Sequence, residues 1–149
     1  MIGKIREYLA NCPSFDTLKA IGVDFLSKDA RVASIDRTPI SPTKEKSVLG
    51  TNVKQASFTL RVRLQHSDEL KNQIDNSDFL EDFEDWIEEQ NDIGNYPKLK
   101  KGKKVTNMYI SSSNYLVSID PNSRGAVYQV QIIIEYEKKN EKDPFAEFF

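Results

Sequence analysis

Two stretches of strict alternation constrain this chain more than any other feature in it. Ala56, Phe58, Leu60, Val62 and Leu64 are apolar, and Ser57, Thr59, Arg61, Arg63 and Gln65 between them are polar. Tyr128, Val130, Ile132, Ile134 and Tyr136 alternate in the same way with Gln129, Gln131, Ile133 and Glu135. Successive side chains of a strand point to opposite faces, so each stretch specifies a long strand with one buried face. Arg61 and Arg63 then fall on the opposite face, toward solvent or a partner.

Helical periodicity occurs twice. Ile2, Ile5, Tyr8 and Leu9 predict a short amphipathic helix from Ile2 to Asn11, ended by Cys12-Pro13 because proline disfavours helix in the residue before it. Phe79, Leu80, Phe83, Trp86 and Ile87 form an aromatic stripe that must bury against a sheet. Asn76, Ser77 and Asp78 offer caps for this second helix, with Glu81 placed as in a capping box. Gly94 ends it, and Pro97 follows.

The remaining segments are shorter. Val23 to Leu26 and Arg31 to Arg37 read as strands. Thr38 to Asn52, with Pro39, Pro42 and Gly50, reads as a long loop or extended arm. Val105 to Ser111 and Tyr115 to Ile119 read as two strands joined by the turn Ser112-Ser113-Asn114. Asp120 to Gly125 reads as a further turn. The expected fold is α+β: an antiparallel or mixed sheet, two helices packed on one face, and an extended arm or hairpin. Residues 1–137 form one expected domain, and 138–149 a charged linker with an aromatic tail.

The chemistry of a catalyst is missing. His66 is the only histidine and Cys12 the only cysteine, so neither a shared metal site nor an internal disulfide framework is available. No Gly-x-Gly-x-x-Gly or Walker-type loop occurs, and no Gly-x-Ser-x-Gly elbow accompanies His66. The expectation is no enzyme, no cofactor, no metal and no small-molecule substrate. The longest apolar run is Ile132-Ile133-Ile134, far short of a membrane span. The N-terminus is charged too early for a signal-peptide core. Synthesis in a reducing cytoplasm follows as an expectation.

Charge points instead to partners. The 149-residue chain carries 21 basic and 23 acidic side chains, so its global field is weak. From Asp78 to Asp92 there are eight acids and no bases; from Lys98 to Lys104 there are five lysines and no acids. Either block alone is an ordinary solvated surface. Together they suggest head-to-tail assembly, with Lys98, Lys100, Lys101, Lys103 and Lys104 of one copy near Glu81, Asp85 and Glu88 of the next. The lysine loop also suits nonspecific contact with DNA phosphates. Phe145, Phe148 and Phe149, in the last five residues, suit either a tail folded back on its domain or a peptide docking on a neighbour.

The stretch from Asn76-Ser77-Asp78-Phe79 through Phe83-Glu84-Asp85-Trp86-Ile87-Glu88-Glu89-Gln90-Asn91, followed by Gly94-Asn95-Tyr96-Pro97-Lys98-Leu99, resembles a family of minor capsid or tail proteins of tailed phages and prophages of Gram-positive bacteria. Ile5-Arg6-Glu7-Tyr8 with Cys12-Pro13, Gly22-Val23-Asp24-Phe25-Leu26, and Tyr128-Gln129-Val130-Gln131 fit the same family. Its members resemble tail terminators. The resemblance implies a virion structural protein, assembled in the host cytoplasm, that forms a ring, most simply a homohexamer, on the tail tube. Its implied partners are itself, the tail-tube protein and neck or connector proteins. Alternatives are a head-closure or connector protein, or the cap of a phage-tail-like bacteriocin particle. The basic loop and the aromatic tail go beyond the family pattern.

Overall fold

The computed structural model describes residues 1–46, 51–122 and 124–139. Its two alternating stretches are strands, and they pair with each other. In chain order the strands are β1 (Ala20–Val23), β2 (Val32–Thr38), β3 (Thr43–Lys46), β4 (Thr51–Gln65), β5 (Lys103–Ile119) and β6 (Gly125–Lys139). β4 and β6 run antiparallel in unbroken register from Thr51 opposite Lys139 to Gln65 opposite Gly125. Phe58 thus lies opposite Ile132, and Leu60 opposite Val130, so both apolar sets share one face. A slip of one residue would turn both sets to the wrong side, and so the pattern pins the register.

The described residues form a mixed six-stranded sheet in the order β1-β2-β4-β6-β5, with β3 pairing β4 off this path. β1 and β2 are parallel, and the other pairs are antiparallel. Two helices, α1 (Ile2–Leu9) and α2 (Leu70–Ile93), and a short 3₁₀ helix at Pro13–Thr17 cover the apolar face. This is the expected α+β architecture. Its core joins Ile5, Leu9 and Phe15 to Leu80, Phe83 and Ile87 over Phe58, Leu60, Val130 and Ile132.

Four sequence expectations change. α2 begins two turns before Asn76–Asp78, with Glu69 at the N-cap. Asn76 is not a cap but a buried helix residue whose Nδ2 donates to the carbonyl of Gln65 at the end of β4, 2.8 Å away. The amide that looked like a cap instead satisfies a strand-end acceptor. Gly94 does end the helix, in the left-handed conformation expected of a C-terminal glycine (φ 71°).

The first strand ends at Val23 instead of starting there. Asp24 has φ 55°, which breaks the extended run, and the Phe25 side chain is 70% exposed. The long arm is strand on both described sides: β3 pairs with Asn52–Lys54 of β4. β2 holds the same edge of β4 farther along, from Ser57 to Arg63, so the arm continues β2 rather than swinging free. Residues 47–50 of the arm lie outside the described residues.

Ser112-Ser113-Asn114 does not turn. β5 is one strand, with register shifts at Val105/Asn107, Ile110/Ser112, Ser112/Tyr115 and Leu116/Ser118. Seventeen residues from Lys103 to Ile119 face thirteen from Lys138 to Ala126, so the shifts insert four extra residues. Bulges of this kind bend and twist a strand. Here they also move the side chains off period two.

Candidate interaction surfaces

The face of α2 turned away from the core carries the acidic block. Leu80, Phe83 and Ile87 are fully buried, and Glu81, Asp85 and Glu88 are exposed. Glu84 departs from the block, because its carboxylate accepts from the backbone N–H and the side-chain amide of Asn114. It ties α2 to the middle of β5. Trp86 was expected in the core. It is only partly buried, tilted against Tyr8 with ring centroids 5.3 Å apart. Asp82, Asp85 and Glu89 surround it, and with Cys12, Pro13 and Ser14 they line a surface cleft of about 450 Å³. Cys12 is buried, and that burial raises its thiol pKa. Burial likewise pushes the Tyr8 hydroxyl up, while it donates to the Asn95 carbonyl at 2.6 Å.

The lysine block closes one end of the sheet. Lys98, Lys100 and Lys101 lie in the α2–β5 connection and are exposed, and Lys103 and Lys104 open β5. The loop is fixed to the sheet rather than loose. Lys103 N donates to Lys100 O, and Lys139 N donates to the carbonyl of Gly102, whose φ of 87° favours glycine. Lys103 lies over the Tyr136 ring. The register adds basic residues the sequence block did not include, since Lys138 stands opposite Lys103, beside Lys139. Among the described residues, none of the five block lysines and none of Glu81, Asp85 and Glu88 forms an ion pair.

Arg61 and Arg63, expected to face solvent or a partner, are engaged within the chain. Arg61 Nε donates to Asp36 Oδ2 at 2.5 Å, and Asp36 also accepts from Ser34 Oγ. Arg63 donates to the carbonyl of Ser27. Its Nε lies 3.2 Å from Asp120 Oδ2, close enough for an ion pair but not aligned for a hydrogen bond. Arg61 thus ties β4 to the neighbouring strand β2, and Arg63 ties two connecting segments to the polar face of the sheet.

Glu135 is buried on that same face. Lys44, the extra residue at the β3 bulge, reaches it across Gln55, and Asn107 Nδ2 donates to it at 3.0 Å. Burial alone would raise its pKa, but the hydrogen bonds from Lys44 and Asn107 outweigh this and hold the carboxyl below the ordinary glutamate value. A depressed folded pKa means the unfolded chain binds the proton more readily. The stabilisation is therefore complete above the ordinary glutamate range and is lost as pH falls through the folded value. Glu135→Gln is expected to cost about 1 kcal/mol at pH 7, because the glutamine oxygen can still accept from Asn107 and only the charge-assisted part of that bond is lost. Half-exposed Lys44 is screened and adds little. Urea titrations of both proteins should converge as the pH is lowered, and parallel curves would remove Glu135 as the acid-sensitive group.

His66 follows the last residue of β4 and has a buried Nδ1 with no hydrogen-bond partner among the described residues. No group of three or more histidine, cysteine or acidic side chains able to hold a metal occurs among the described residues. No helix among them is long and apolar enough to cross a membrane.

The surface least visible in the sequence is apolar. Tyr115, Leu116, Val117 and Ile119 of β5 are each close to half exposed, and β5 is an edge strand among the described residues. Leu70 and Ile74 are exposed near the start of α2. One signal was present in the sequence: Tyr115-Leu116-Val117 is apolar at both strand parities, which a strand with one solvated face avoids. Phe145, Phe148 and Phe149 lie outside the described residues.

No protein-family model matches the chain, and no curated protein matches it.

Proposed function

We propose that this chain is a structural subunit of a phage-type tail: a tail terminator that assembles as a ring and caps the tail tube. The observation that carries the reading is the segregation of charge. Exposed acids line α2 and exposed lysines crowd one end of the sheet, with no ion pair between the blocks among the described residues. Surfaces of opposite sign, each unpaired among the described residues, are complementary between copies and set register and association rate. The cleft around Trp86 suits a lysine from a neighbour, since its lining includes an indole ring and three carboxylates. A repeated contact between two different surfaces closes into a ring when the rotation permits. The resemblance of the Asn76–Leu99 stretch to minor tail proteins supports reading that ring as part of a tail, with the virion as its destination.

The test separates a terminator from a connector. The purified chain is mixed with assembled tail-tube protein and, separately, with portal-side neck proteins, and particles are imaged by electron microscopy. A terminator adds a ring of density to the tube end and leaves the neck proteins free. Binding to the neck proteins alone assigns the connector role, and binding to neither removes the tail reading.

A further inference from the structure

We infer that the exposed edge of β5 at Tyr115–Ile119 receives the C-terminal segment Asp143–Phe149 of a second copy as an added strand. The inference rests on the reading of the chain as a self-assembling subunit, and it names the contact.

The acceptor is a strand edge of unusual composition. β5 ends the sheet order, and among the described residues no strand pairs with its outer side. Edge strands in soluble proteins are ordinarily blunted by charge, proline, a bulge or a covering element, and among the described residues this stretch carries only the register shift at Leu116/Ser118. Tyr115-Leu116-Val117-Ser118-Ile119 has neither charge nor proline, and its four large side chains are close to half exposed. Leu70 and Ile74 are also exposed at this end of the sheet, where Asn76 holds Gln65 beside Gly125. An extended peptide can take up such an edge through its backbone while its side chains fill alternate positions.

The donor matches in length and chemistry. Phe145-Ala146-Glu147-Phe148-Phe149 is five residues with three aromatic rings, and Pro144, which has no N–H, stands at its start.

Reach decides that the donor is another copy. β6 ends at Lys139, whereas Leu116 pairs with Tyr128 and Ile119 with Ala126. Eleven residues of strand separate Tyr128 from Lys139, about 36 Å at 3.3 Å per residue. A tail returning along its own β5 must also cross to the outer edge, about 10 Å more sideways. Phe145 lies six residues past Lys139 and extends at most about 22 Å. Phe149 lies ten past and extends at most about 36 Å, just short of the level of Leu116. The segment therefore cannot lie along Tyr115–Ile119 of its own chain, and a neighbour's tail can.

Disulfide trapping tests this with the full chain. Cys12 is buried, so the wild-type protein is the control. A Ser118→Cys copy is mixed with a Phe148→Cys copy under mild oxidation and run on a non-reducing gel. The expected result is a crosslinked dimer at least tenfold more abundant in the mixture than in either variant alone. One chain carrying both substitutions should give a ladder of multimers. Closure within a monomer would overturn the inference, as would a Ser118→Cys homodimer, which would pair β5 with β5, or no link at all. The test does not depend on the tube: a ring that forms on the tube without the crosslink sinks this contact alone, and a crosslinked ladder that never caps a tube sinks the terminator reading alone.

Discussion

Phe83→Ala is expected to destabilise the fold by about 3–5 kcal/mol, the range for emptying a fully buried phenylalanine site. Phe83 has no exposed surface and stacks on Phe15 with ring centroids 4.9 Å apart. It sits in the α2 stripe that covers the apolar face of the sheet, so its loss removes contacts from helix, 3₁₀ turn and sheet together. Domains are stable by only about 5–15 kcal/mol, and this one substitution should remove a large part of that. At about 1–3 kcal/mol per molar, the urea midpoint falls by about 1 M or more. Trp86→Ala is the matched comparison. Its ring is larger, but it is only partly buried and lines the acidic cleft, so its loss should be clearly smaller. If Trp86→Ala costs as much as Phe83→Ala, the helix is rotated from the orientation described, with the indole in the core.

That comparison shows how the sequence misleads. The stripe Phe79, Leu80, Phe83, Trp86 and Ile87 is legible as one apolar face, but periodicity alone does not rank its members by burial. The helix axis decides that, and places Leu80, Phe83 and Ile87 inside with Phe79 and Trp86 at the rim. β4 and β6 were legible because they pair without a shift, so every residue keeps its parity. β5 was not, because its four extra residues put Val105, Met108, Ile110, Leu116 and Ile119 at irregular spacing. The Ser112–Asn114 run looks like a turn for the same reason. Asn76 misled because an amide that accepts at a helix start and an amide that donates to a strand end are the same letter. The two charge blocks were legible as sequence runs. That Lys138 and Lys139 join the basic end, and that Arg61 and Arg63 are taken up internally, depended on pairing across the sheet.

The second large effect concerns assembly. The triple reversal Lys98→Glu, Lys100→Glu, Lys101→Glu is expected to weaken self-association at least about 100-fold, which is about 2.7 kcal/mol. All three side chains are exposed and free of ion pairs among the described residues, so the fold should tolerate the change. The reciprocal triple, Glu81→Lys, Asp85→Lys, Glu88→Lys, should also be defective, because it sets three lysines of the helix against the basic loop and removes most of the net negative charge of the acidic block. Like charges brought together across an interface cost several kcal/mol. Where these three acids and three lysines meet directly, the two defects should partly cancel when all six reversals are made in one chain, because those pairs are restored with their signs inverted while the five other acids and two other lysines stay as they are. A simple loss of surface quality would not cancel in this way. Wild-type association should also weaken as salt rises from about 0.1 M to 1 M, where screening shortens to about 3 Å. Sedimentation velocity on the four proteins, alone and on tail tubes, measures each arm. If either triple assembles as well as the wild type, or if the sixfold chain stays monomeric, the acidic helix and the basic loop do not meet. The DNA reading gives a different pattern on the same variants: the lysine reversal alone abolishes retention on DNA, and reversing the acids as well does not restore it.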